Sequence, residues 1–140
     1  GTQWTAYTPA FTSVGWAVGT GGSAAAIGAY SVTNGTVHFY LNITFGTTAP
    51  AAAATSCAIT LPPVTALSGA YSSQLFCFFL DSSTSIVYQG WGALASTTSV
   101  APCVGNTAGT YEVPANMTNT VPVSMAASDT IVVVGWYRKA

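Results

Sequence analysis

The stretch Val37–Phe45, VHFYLNITF, sets Val37, Phe39, Leu41, Ile43 and Phe45 at every second position, with His38, Tyr40, Asn42 and Thr44 between them. Successive side chains of an extended strand point to opposite faces. A period of two held over this length requires a strand with one apolar face on a core and one polar or amphipathic face turned outward. Asn34-Gly35 stands just ahead of it. Both residue types tolerate the left-handed backbone of a two-residue hairpin turn, so Ile27–Val32 is expected to be the other arm.

The same logic gives further strands. Ser56–Leu61 alternates Cys57, Ile59 and Leu61 before Pro62-Pro63 ends it. Gln74–Leu80, QLFCFFL, is apolar at nearly every position and reads as a central strand covered on both sides. Asp81–Thr84 is a turn and Ser85–Leu94 the returning arm. Ser99–Val104 and Val121–Met125 are shorter candidates, and Thr130–Tyr137, TIVVVGWY, is the most β-branched segment. Thr20–Ala26 and the Pro50-containing Ala49–Ala54 read as loops. Helical periodicity is absent almost throughout. The expectation is an all-β fold, an antiparallel β-sandwich of about eight to ten strands, jelly-roll-like, with residues 1–140 forming a single domain.

The surface of such a domain is unusual here, because the 140 residues include two basic and three acidic side chains. An ordinary soluble domain carries about 25% charged residues. With Arg138 and Lys139 as its two basic side chains, the chain has little with which to neutralise phosphates, so neither nucleic acid nor anionic lipid is expected as an electrostatic partner. Little charge also keeps copies apart, so a homo-oligomer is expected. No run of apolar residues is long enough for a transmembrane helix, so no membrane insertion is expected. The opening GTQWTAYTP does not itself read as a secretion signal. Cys57, Cys77 and Cys103 lack the spacing of a zinc site and read as small core hydrophobes, with a Cys57–Cys77 disulfide as the alternative.

The chemical inventory is short. His38 is the single histidine, and Asp81, Glu112 and Asp129 lie far apart in sequence. No nucleophile motif accompanies them, and Asp81 in DSS and Asp129 in SDT are expected to accept backbone N–H groups at turns. Glu112 reads as an exposed strand residue. No metal, cofactor or enzymatic activity is expected. Asn34, Asn42 and Asn116 each open an Asn-X-Thr triplet, unsurprising in a chain rich in Asn and Thr. What remains is aromatic surface: four Trp, seven Tyr and six Phe exceed what a small core holds, and Trp and Tyr anchor interfaces without charge. The candidate contacts with a glycan or partner are Trp16, Tyr71, Tyr88, Trp91 and Tyr111, which lie beside Gly or polar turns, and the outward residues His38, Tyr40 and Asn42. His38 is not expected to be a catalyst and is expected as a hydrogen-bonding group at a subunit contact.

The order of WTAYTPAFTS (Trp4–Ser13), IGAYSVTNGTVHFYLNITFGTT (Ile27–Thr48), ITLPPV (Ile59–Val64), DSSTSIVYQGWGAL (Asp81–Leu94) and SDTIVVVGWY (Ser128–Tyr137) resembles the β-rich domain of tail, fibre and other virion appendage proteins of tailed bacteriophages, particularly those infecting actinobacteria. The resemblance spans nearly the whole chain and implies a non-enzymatic virion structural domain. It further implies a trimer exposed on the particle exterior, bound to other virion proteins and able to contact host-surface glycans. Similar domains occur as head decorations and head fibres, and a secreted carbohydrate-binding module is a further alternative.

Overall fold

The computed structural model describes residues 3–48, 56–69, 72–106 and 112–140. The fold is all-β. The nine strands among the described residues are β1 (Thr5–Tyr7), β2 (Ala25–Thr33), β3 (Thr36–Thr44), β4 (Ile59–Thr60), β5 (Ser73–Asp81), β6 (Ile86–Leu94), β7 (Ser99–Asn106), β8 (Val113–Asn116) and β9 (Thr130–Arg138). Every pairing is antiparallel, in the order β1-β2-β3-β9-β5-β6-β7-β4, with β8 attached to β7.

The expected hairpin forms with Asn34 and Gly35 both at positive φ, 50° and 76°. That is the twist a two-residue turn needs to match its flanking strands. The β-branched terminal strand β9 is inserted between β3 and β5, so a single hydrogen-bonded ladder runs through the molecule. The strands are therefore not divided between two stacked ladders, as the sandwich expectation had it. Residues just after β1 reach the far end of the ladder instead: Phe11 bridges Ile59, Thr12 N–H donates to the Ala58 carbonyl at 2.9 Å, and Thr60 N–H to the Ala10 carbonyl at 2.8 Å. The sheet curls until its ends meet. Alternation within strands is the same for one curled sheet and for two stacked ones, which is why the sequence does not separate them.

The inner face is the core. Val37, Phe39, Leu41 and Ile43 from β3 meet Leu75, Cys77 and Phe79 from β5 and Ile131, Val133 and Tyr137 from β9, all buried. Burying each of the larger side chains contributes about 1.5–3 kcal/mol. Phe45 continues the face, stacks on Phe11 at 5.9 Å and packs at a tilt against Trp16 at 6.2 Å. Tyr137 Oη donates to the Val64 carbonyl at 2.8 Å, so the one polar atom of that fully buried ring is satisfied.

Several expectations are corrected. The segment 56–61 is a strand only at Ile59–Thr60, and Val121–Met125 is irregular, with one bridge from Val121 to Thr118. Strand β8 and the short β1 were not anticipated; Pro114 disguises β8, and it is tolerated because β8 is an edge. Ala25 and Ala26 belong to β2 rather than to a loop. The Ala49–Ala54 loop lies outside the described residues. QLFCFFL is buried on one face only, since Phe76 and Leu80 are exposed. All three cysteines are buried and free, so the disulfide alternative does not form.

Candidate functional site

The half-exposed character of β5 matters because strand register places its outward residues beside those of β3, β9 and β6. On the outer face Ala29, Tyr40, Val134, Phe76 and Trp91 are successive cross-strand partners along one row. Trp4 extends it, its ring centroid 6.0 Å from that of Tyr40. Trp4 is 51% exposed, Phe76 45%, Tyr40 42% and Trp91 40%. At about 4.8 Å per strand, Tyr40 to Trp91 spans roughly 14 Å.

Rows that mix polar and apolar side chains flank the aromatic one. On one side Ser31, His38, Trp136 and Gln74 are in register; on the other Ile27, Asn42, Val132, Phe78 and Gln89. Beyond these, Thr44 and Thr130 hydroxyls hydrogen-bond at 3.0 Å between Ala25 on one side and Leu80 and Val87 on the other. None of these positions carries an Asp, Glu, Lys or Arg. Large exposed apolar patches on a folded domain mark interaction surfaces. This one presents ring faces with amide and imidazole groups beside them.

The charged residues lie at its margins or beneath it. Asp129 is buried and accepts from Ser82 N–H at 2.9 Å, Ser82 Oγ at 3.1 Å and Ala126 N–H at 2.7 Å, tying the β5–β6 turn to the loop before β9. Asp81 accepts from Ser83 Oγ at 2.7 Å and Ser83 N–H at 3.0 Å. Hydrogen bonds from the side chains of Ser83 and then Thr84 hold its carboxyl below the usual range. Both aspartates are turn acceptors, as their sequence context indicated. Burial pushes the thiols of Cys57, Cys77 and Cys103 up, which leaves them protonated and poor nucleophiles. Among the described residues no His, Cys, Asp and Glu side chains gather as a metal site would need.

The candidate contacts from the sequence separate. His38, Tyr40, Asn42 and Trp91 share the outer face. Trp16 is corrected to a core residue, 7% exposed and packed on Phe11 and Phe45. Tyr88 is half-buried against Phe79 on the opposite face from Trp91. Tyr71 and Tyr111 lie outside the described residues. Trp4, Gln74, Phe76, Gln89 and Trp136 were not anticipated at the site. The alternation within QLFCFFL is the signal that would have separated Phe76 and Phe78 from Cys77 and Phe79.

No protein-family model, curated protein or solved structure matches the chain.

Proposed function

We propose that this chain is a non-enzymatic structural domain of a bacteriophage virion, on the tail fibre or tail tip, that attaches to neutral glycans of the host surface through its outer sheet face. The observation that carries the reading is the row Trp4, Tyr40, Phe76 and Trp91, flanked by Asn42, Gln74 and Gln89, with the charged side chains Glu112 and Arg138 at the edges of the face. Aromatic faces cover the apolar C–H faces of sugar rings, while Asn42, Gln74 and Gln89 stand where they meet hydroxyl groups. Neutral sugars need no counter-charge, and the aromatic row itself offers none. The virion setting rests on the resemblance in the order of strand and turn segments.

The aliphatic end of the same face, with Ile27, Leu80 and Val87 exposed, supports a second role in contact with other copies of the chain or with other virion proteins. The domain is accordingly read as a homo-oligomer, a trimer by the resemblance, on the particle exterior. A capsid decoration or head fibre would use the whole face for protein contact. A neutral-glycan array and binding to host cell walls, run beside binding to capsid shells, test the choice. Glycan or wall binding that is lost in Tyr40→Ala is the expected result. Tight capsid binding with no glycan or wall binding overturns the attachment reading in favour of decoration.

A further inference from the structure

At the β6 end of the aromatic row the face is not flat. Phe76, Gln89, Gly90, Trp91 and Glu112 line a hollow of about 240 Å³. Small-molecule sites usually measure about 300–1,000 Å³, so this one has room for a single ring and not for a longer ligand. Its chemistry differs from the rest of the face, because Glu112 brings a carboxylate beside rings of Phe76 and Trp91 that are otherwise flanked by neutral groups.

Glu112 is held there by the strands beneath it. It leads into β8, which pairs with β7, and its side chain lies over Gly105: a Cβ at that position would overlap Glu112 Oε1. The carboxylate makes no hydrogen bond or ion pair with the described residues, and Glu112 is an exposed residue, so its hydrogen-bonding capacity is available to a ligand. Gln89 adds an amide with two donors and an acceptor.

We propose that this hollow is the subsite for one neutral pyranose ring of the attached glycan, with two adjacent hydroxyls donating to the Glu112 carboxylate and the ring's apolar face against Trp91 and Phe76. Two oxygens of one carboxylate match two vicinal hydroxyl donors, and a hydrogen bond to a charged acceptor is stronger than one to an amide. The rest of the chain then runs along the row toward Tyr40. The subsite fixes which end of the glycan is recognised, whereas the row is tolerant of sequence. This rests on the attachment reading above.

The test measures affinity for the best-bound neutral oligosaccharide of an array of galacto-, manno- and gluco-oligosaccharides, using the intact chain and the variants Glu112→Gln, Gly105→Ala and Tyr40→Ala. Gly105→Ala displaces the carboxylate of Glu112 without removing it, and circular dichroism checks that each variant is folded. Losses of about tenfold or more in both Glu112→Gln and Gly105→Ala are expected, with matching loss for a ligand whose terminal ring lacks one of the paired hydroxyls. Unchanged affinity in both variants, with binding lost in Tyr40→Ala, overturns the subsite and leaves the attachment reading intact. No binding of any array member by the intact chain overturns both.

Discussion

Phe76 and Trp91 stand directly opposite each other on β5 and β6, with both rings on the solvent side of a sheet whose other side is the core. They are 45% and 40% exposed and lie outside the core, so their removal costs less than that of a core aromatic. Trp91→Ala is expected to lower unfolding free energy by about 1–2 kcal/mol, short of the roughly 3–5 kcal/mol of a core aromatic, while abolishing binding to neutral glycan. A urea titration and a binding assay on one sample check this. A large loss of stability would mean that Trp91 serves the fold rather than a ligand.

Asp129 makes the opposite prediction. Its carboxylate takes hydrogen bonds from Ser82 and Ala126 and is almost wholly buried. Asp129→Ala leaves those donors without their acceptor, at a cost of about 1–3 kcal/mol for each one that stays buried. The urea midpoint should fall clearly, with glycan affinity per folded molecule unchanged.

Gly135 interrupts the β-branched run of β9 for a steric reason. Its φ is 152°, and a Cβ there would overlap the Gln74 carbonyl oxygen and lie 2.9 Å from Leu75 Cα. Backbone cannot yield as a flexible side chain does. Gly135→Ala is expected to destabilise the fold by about 2 kcal/mol or more, measurable as a lower midpoint in thermal or urea unfolding.

Alkaline lability follows from the buried acids. Burial, first among its causes, raises the pKa of Tyr7, Tyr137, Cys57 and Cys77 in the folded chain. Each raised group contributes stability that is complete below its unfolded pKa, about 8.5 for Cys and 10 for Tyr. That contribution falls as pH rises through this range toward the folded value. The urea midpoint should therefore drop steadily above about pH 8.5. Native protein should also leave Cys57 and Cys77 unreacted with a thiol reagent that modifies them rapidly in urea.

Much of the fold was legible because it is local. The alternation in β3, the Asn34-Gly35 turn, the β-branched β9, the turn role of Asp81 and the Ala126 bond of Asp129 each depend on a few adjacent residues, whereas the bonds of Asp129 with Ser82 join distant turns. The ladder order was not legible, since inserting β9 between β3 and β5 joins residues almost a hundred positions apart in sequence. The site is legible in proportion. Tyr40 and Trp91 were found singly, but Phe76 looked like core within an apolar run, and only register makes the row. Trp16 misled because Gly15 beside it suggests a surface turn, whereas the ring folds back on Phe11 and Phe45.

The central claim is that the outer face of β3, β9, β5 and β6 receives a neutral glycan. Chemical-shift mapping by NMR, with the best array ligand titrated into the intact chain, tests it most directly. The account predicts perturbations concentrated at Tyr40, Asn42, Phe76, Gln89 and Trp91. Perturbations confined elsewhere, such as the groove lined by Pro9, Phe11 and Trp16, would contradict it.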